Sequence, residues 1–117
     1  IKVIPFSKEE IDQVTAKFPF YAPYALPANI YKGQDQDVYT ASVWNTFICN
    51  ADLDEELVYK LTKAVFENQE YLMKIHPFAK YTTPENAVKY SAIPLHPGAI
   101  RYIREQGVKV SAQLIAQ

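Results

Sequence analysis

The stretch YKGQDQDVYTASVWN, Tyr31 to Asn45, sets four oxygen-bearing side chains behind a glycine: Gln34, Asp35, Gln36 and Asp37. Such residues serve three chemistries: hard-cation binding, acid/base work by paired carboxylates, or hydrogen bonding within a turn. A calcium loop alternates its ligands over about a dozen residues and closes on a Glu. Here two carboxylates alternate with glutamine over four residues, and the chain then turns β-branched and aromatic. Asp35 and Asp37 as acid and base would need burial in a cleft to separate their pKa values. A solvated turn supplies neither burial nor cleft, so the turn is the preferred reading.

The remaining reactive residues are sparse. His76 and His96 each precede a proline, one at a helix end and one at a helix start. Neither has a second ligand at metal spacing, so capping is expected rather than zinc. No Ser or Cys stands in a nucleophile motif, and the three glycines are not arranged to cradle phosphate. Lys89, Arg101 and Arg104 could meet an anion, although a solvated helix face is the commoner role of such charges. The expectation is a non-enzymatic chain with no catalytic residue, metal or cofactor. Tyr21, Tyr24, Tyr31, Tyr39 and Trp44 are more informative. Tyr and Trp offer rigid surface with a polar handle, suited to lining a ligand cleft; ordinary core packing is the competing reading.

The bulk numbers narrow the classes further. The chain has 117 residues, 12 basic and 13 acidic, for a net charge of −1. That balance makes no electrostatic case for nucleic acid or an anionic membrane as partner. Cys49 is the one cysteine, which leaves no internal disulfide or thiolate cluster, and it is expected to be a small buried hydrophobe. No apolar run is long enough to span a bilayer. The opening IKVIPF has no Met, basic region or apolar leader, and reads as the start of a processed or truncated piece.

Elements must position these residues. Ile1, Val3 and Ile4 suggest a short strand ended by Pro5. Ser7 and Glu10 form a capping box for a helix carrying Ile11, Val14 and Phe18, which Pro19 stops. From Phe20 to Asn45 the prolines and tyrosines predict extended edge segments and turns. VYTASVWNTFIC then reads as a long strand. Asp52 and Glu55 predict a second capping box, and apolar residues from Leu57 to Ile75 predict one helix of about six turns to His76. Thr83-Pro84 and His96-Pro97 each predict an N-cap followed by a helix, the second closing on Gly107. The tail VKVSAQLIAQ reads as strand or helix.

Three blocks, LPANIYKGQDQDVYTASVWN, NADLDEELVYKLTKAVFENQEYLMKIHPFAK and AIPLHPGAIRYIREQG, occur in this order. With them the chain resembles, up to Gly107, the C-terminal part of the TAXI-type solute receptors of TRAP transporters. PANI at Pro27 to Ile30, Tyr39 after Val38, and Trp44 depart from the family pattern near the cleft, so ligand identity does not carry over.

The resemblance implies an α/β fold, the C-terminal part of a two-lobed periplasmic-binding-protein (type II) architecture: strand, helix and extended segment, followed by three helices. Residues 1–45 would end one lobe and cross over, 46–107 would complete the other lobe, and 108–117 would form a tail. The implied function is capture of a small organic anion, such as an amino acid or carboxylate, outside the cytoplasm. Ligand contacts to both lobes would drive closure and present the receptor to TRAP membrane subunits. Tyr39, Thr40, Val43, Trp44 and Asn45 would line part of the cleft. The alternative is a protein-interaction module using the Tyr-rich surface. Helices that belong on a sheet outside this chain would leave apolar patches, and the chain alone is expected to bind weakly and to self-associate.

Overall fold

Helix α1 (Lys8–Lys17) starts where a serine and a glutamate satisfy each other's neighbours. The Ser7 hydroxyl accepts the Glu10 N–H at 3.2 Å, and the Glu10 carboxylate accepts the Ser7 N–H at 2.8 Å. The computed structural model describes residues 2–116, which fall into two compact units divided between Asn45 and Thr46. Together they form a mixed α/β chain with one two-stranded sheet and five α-helices among the described residues.

In the first unit α1 packs against both strands of an antiparallel ribbon, β1 (Tyr21–Leu26) and β2 (Val38–Val43). Ile11 on α1 and Ala22 on β1 are its buried apolar residues. Pro23 pairs with Ala41 inside β1. A residue without an N–H is tolerated there because one side of the strand has no neighbour. At Val3 and Ile4 the expected strand does not form, and Ile1 lies outside the described residues. One backbone bond, Phe6 N–H to the Tyr39 carbonyl at 2.9 Å, reaches the outer edge of β2. Pro5 has no donor with which to extend that ladder.

The long strand expected from Val38 to Cys49 stops at Val43. Its register pairs Val43 with Tyr21, the first residue of β1. Before Tyr21 the partner chain turns away at Pro19–Phe20, so Trp44 onward meets no partner strand among the described residues. Cys49 falls in this unpaired stretch and is exposed rather than buried.

The second unit is helical. Its first helix, α2 (Glu55–Glu67), is capped by Asp54, whose carboxylate accepts the Leu57 N–H at 2.8 Å. The cap therefore lies two residues beyond the Asp52–Glu55 box expected from the sequence; Asp52 sits in the turn before the helix. The expected six-turn helix is interrupted at Asn68 (φ −106°, ψ 26°) and resumes as α3 (Gln69–Ile75). The Asn68 amide donates back to the Ala64 carbonyl at 2.8 Å, the local competition that makes Asn a poor interior helix residue. Two further helices, α4 (Pro84–Tyr90) and α5 (Pro97–Glu105), start at Thr83 and His96 with proline in the first turn. Among the described residues the unit thus has four α-helices where three were expected.

Its core lies between α2 and α5: Val58, Ile100, Tyr102 and Ile103 are buried, and Phe66 stacks on Tyr102 at 5.8 Å. Gly98 lets the helices touch. A Cβ there would run into the Glu55 carbonyl oxygen and lie 2.7 Å from the Tyr59 nitrogen. Gly107 (φ 79°) follows α5 in the left-handed region as a helix-ending glycine does. The tail contains a short 3-10 turn, Ala112–Leu114, and returns to the unit where the Leu95 N–H donates to the Leu114 carbonyl at 2.8 Å.

Candidate functional site

The residues between β1 and β2 form a turn built around Gln34, the one buried polar residue among those described. Its amide donates to the Pro27 and Gln36 carbonyls, both at 2.8 Å, and its side-chain oxygen accepts the Tyr31 N–H at 3.3 Å. Its backbone carbonyl accepts the Asn29 N–H at 2.8 Å. Asp37 accepts the Ala28 N–H at 2.8 Å. Asn29 (φ 66°) and Gly33 (φ 85°) supply the left-handed corners. Two of the four side chains that suggested a cation loop, Gln34 and Asp37, are thus directed at the turn's own backbone, and Asp35 and Gln36 are exposed beside them. Among the described residues no three His, Cys, Asp or Glu side chains gather as a metal site.

This turn sets the register of the ribbon and so decides which side each candidate occupies. Side chains alternate along a strand. Tyr39, Ala41 and Val43 share a face with Tyr21, Pro23 and Ala25, and Tyr39 and Val43 are exposed on it. Thr40 points to the opposite face, paired with Tyr24 beside buried Ala22. On that face the Ser42 hydroxyl donates to the Ala22 carbonyl at 3.3 Å. Trp44, half-buried, and Asn45, exposed, lie just past the strand. The structure therefore puts Tyr39 and Val43 together, separates Thr40 from them, and leaves Trp44 and Asn45 on the outgoing segment.

At the Val43 end the exposed face continues into aromatic rings that a tyrosine-centred reading omits. Phe20 lies 4.8 Å from Tyr21, and Phe18 lies 5.9 Å from Phe20 and 6.3 Å from Tyr21. The signal was present in the sequence as FPFY, aromatics on both sides of Pro19. The platform is small-residued in the middle and aromatic at its rim. It offers apolar contact and a tyrosine hydroxyl, and bears no acid/base pair or nucleophile.

In the helical unit, His76 and His96 act as the expected caps. The Nδ1 atoms accept the Phe78 and Gly98 N–H groups at 3.3 and 3.2 Å. Arg101 bridges Glu55 at 3.2 Å and Glu56 at 2.6 Å while lying 3.9 Å over the Tyr59 ring. The Tyr59 hydroxyl donates to Glu105 at 2.7 Å. The Arg101 hydrogen bond holds the Glu56 carboxyl below its ordinary 4.5, and the bond to Glu105 raises the Tyr59 hydroxyl above 10.0. Arg101 is thereby engaged in tying α5 to α2. Arg104 rims an open cleft of about 600 Å³ floored by Leu95, Pro97, Ile100 and Ile115, and the Lys89 ammonium lies 4.9 Å over the Tyr90 ring.

The model of the NMT1-like family, a periplasmic-binding-protein-like family, matches residues 1–107.

Proposed function

The chain belongs to the NMT1-like family, and from that premise we propose that it is part of a TAXI-type solute receptor serving a TRAP-class secondary transporter. The family supports solute binding in general, outside the cytoplasm. The observation that carries the finer reading is the ordered set of three sequence blocks lying within the matched residues 1–107. The ligand class is a small organic anion, an amino acid or a carboxylate. The chain acts by binding rather than by catalysis, at the periplasmic or outer face of the cell membrane, with the TRAP membrane subunits as downstream partners.

In this reading the exposed ribbon face supplies one wall of the site. Tyr39 and Val43 make the direct contacts, Trp44 and Asn45 approach from the outgoing segment, and Thr40 positions β2 from the far side. Trp44 is the single tryptophan and so a built-in reporter. Thermal shift and Trp44 fluorescence would be read against a panel of amino acids and dicarboxylates, on the 117-residue chain and on the native-length protein. Saturable stabilisation of the native-length protein with a Trp44 response is expected, and weak binding or none by the 117 residues alone. Silence of both readouts in the native-length protein overturns the receptor reading.

A further inference from the structure

Residues 18–31 and 38–51 contain no Asp, Glu, Lys, Arg or His, although 12 basic and 13 acidic residues are scattered through the rest of the chain. Both strands of the ribbon fall inside these two runs. On the face that holds Ala22 the absence of charge follows from burial, since every residue there is buried or half-buried. The opposite face has no such explanation. Pro23, Ala25, Tyr39 and Val43 are exposed on it, Val43 to 60%. The solvent face of an antiparallel sheet is ordinarily polar, so an exposed face without one charge calls for an uncharged occupant.

The register gives this face its shape. Pro23 beside Ala41 is the middle rung; Tyr21 with Val43 stands on one side of it, and Ala25 with Tyr39 on the other. The result is a shallow trough with a small-residue floor and a tyrosine at each end. The outer rungs lie four residues apart, roughly 14 Å at the usual strand rise. That span admits one ring or one branched side chain between the tyrosines. Phe20, 4.8 Å from Tyr21, extends the wall. The two tyrosines stand at opposite corners, too far apart for their hydroxyls to fork on one carboxylate.

We infer that the ligand turns an uncharged apolar side chain toward this trough, so that the receptor selects monocarboxylates with an aromatic or branched body, such as the apolar amino acids, against dicarboxylates. The inference rests on the receptor reading above and narrows its ligand class. A closing cleft strips water from what it holds. A carboxylate left facing Pro23, Ala25 and Ala41 would find no cation there to replace that water. An apolar side chain gives up no such hydration and gains contact with Tyr39 and Val43.

Isothermal titration of the native-length protein with L-phenylalanine, L-leucine, L-glutamate and succinate ranks the classes. Phenylalanine or leucine is expected to bind at least ten-fold more tightly than either dicarboxylate. Ala25→Lys sets a cation in the trough and should reverse that order, weakening phenylalanine at least ten-fold while strengthening glutamate. Val43→Asp, at the opposite end, should weaken phenylalanine to a similar degree. Glutamate or succinate binding as tightly as the apolar pair overturns the inference and leaves the receptor reading standing, whereas silence with every anion tried removes both. A ranking that both variants leave unchanged also overturns it. So does a ligand-free melting temperature lowered by about 5 °C or more in both variants, which assigns the face to packing against the rest of the native-length protein.

Discussion

In the ribbon unit the buried centre of the β1–β2 turn is a polar side chain, Gln34, whose amide knits three backbone groups together. In the helical unit the corresponding point of closest approach is Gly98, which has no side chain at all. One region is ordered by hydrogen bonds that a short chain segment makes to itself. The other is ordered by apolar surface, Val58, Ile100, Tyr102 and Ile103, brought together from residues some 40 positions apart. The difference teaches where each region is vulnerable: the first to loss of a donor, the second to gain of volume.

The largest effect that would test this contrast is Gly98→Ala. The new methyl would collide with the Glu55 carbonyl and the Tyr59 nitrogen, both backbone and unable to swing aside. Overpacking of this kind costs about 3 kcal/mol, measurable as a lowered denaturant midpoint; unchanged stability would break the close-approach account of α2 and α5. Next comes Gln34→Ala, which takes the side-chain partner from the Pro27 and Gln36 carbonyls and the Tyr31 N–H and should cost about 2 kcal/mol. Asp35→Ala beside it, on an exposed and bond-free carboxylate, should stay within about 0.5 kcal/mol of the parent. Equal effects at 34 and 35 would mean that the turn is not organised around the glutamine.

Smaller still is Ser7→Ala, which removes half of the α1 capping box and should cost about 1 kcal/mol. Amide exchange in the first turn of α1 is the sensitive readout. The smallest effect is in pH dependence. Glu56 is held below 4.5 by Arg101, so its contribution is complete above 4.5 and is lost as the pH falls through the lowered folded value. Tyr59 is raised above 10.0 by Glu105, so its contribution is complete below 10 and is lost as the pH rises through the raised value. A melting curve should therefore sag slightly at both limbs, and Arg101→Leu should flatten the acid one. Both groups are exposed, so high salt should erase much of each limb.

Local chemistry was well legible in the residues themselves. Ser7 with Glu10, Thr83 and His96 before proline, Gly107 after a helix, and the turn at Gly33 all depend on bonds spanning a few positions. Their geometry follows from the side chain and its immediate backbone. The edge character of β1 was likewise readable from Pro23. What failed to read were features fixed by a partner far along the chain. Val38 to Cys49 has strand-forming residues throughout, yet pairing ends at Val43 because β1 begins at Tyr21. Asn68 splits a periodic run that apolar spacing alone joins into one helix.

The candidate site divides along the same line. Composition determined that a Tyr-rich, catalytically poor stretch lies between Tyr21 and Asn45, and that the acidic run is a turn. Only the pairing register decided that Tyr39 and Val43 look outward together while Thr40 looks away, since a slip of one residue would exchange the faces. Only the packing of α2 on α5 decided that Leu57 and Leu61 remain uncovered, because a sequence shows which residues are apolar but not which have already found neighbours.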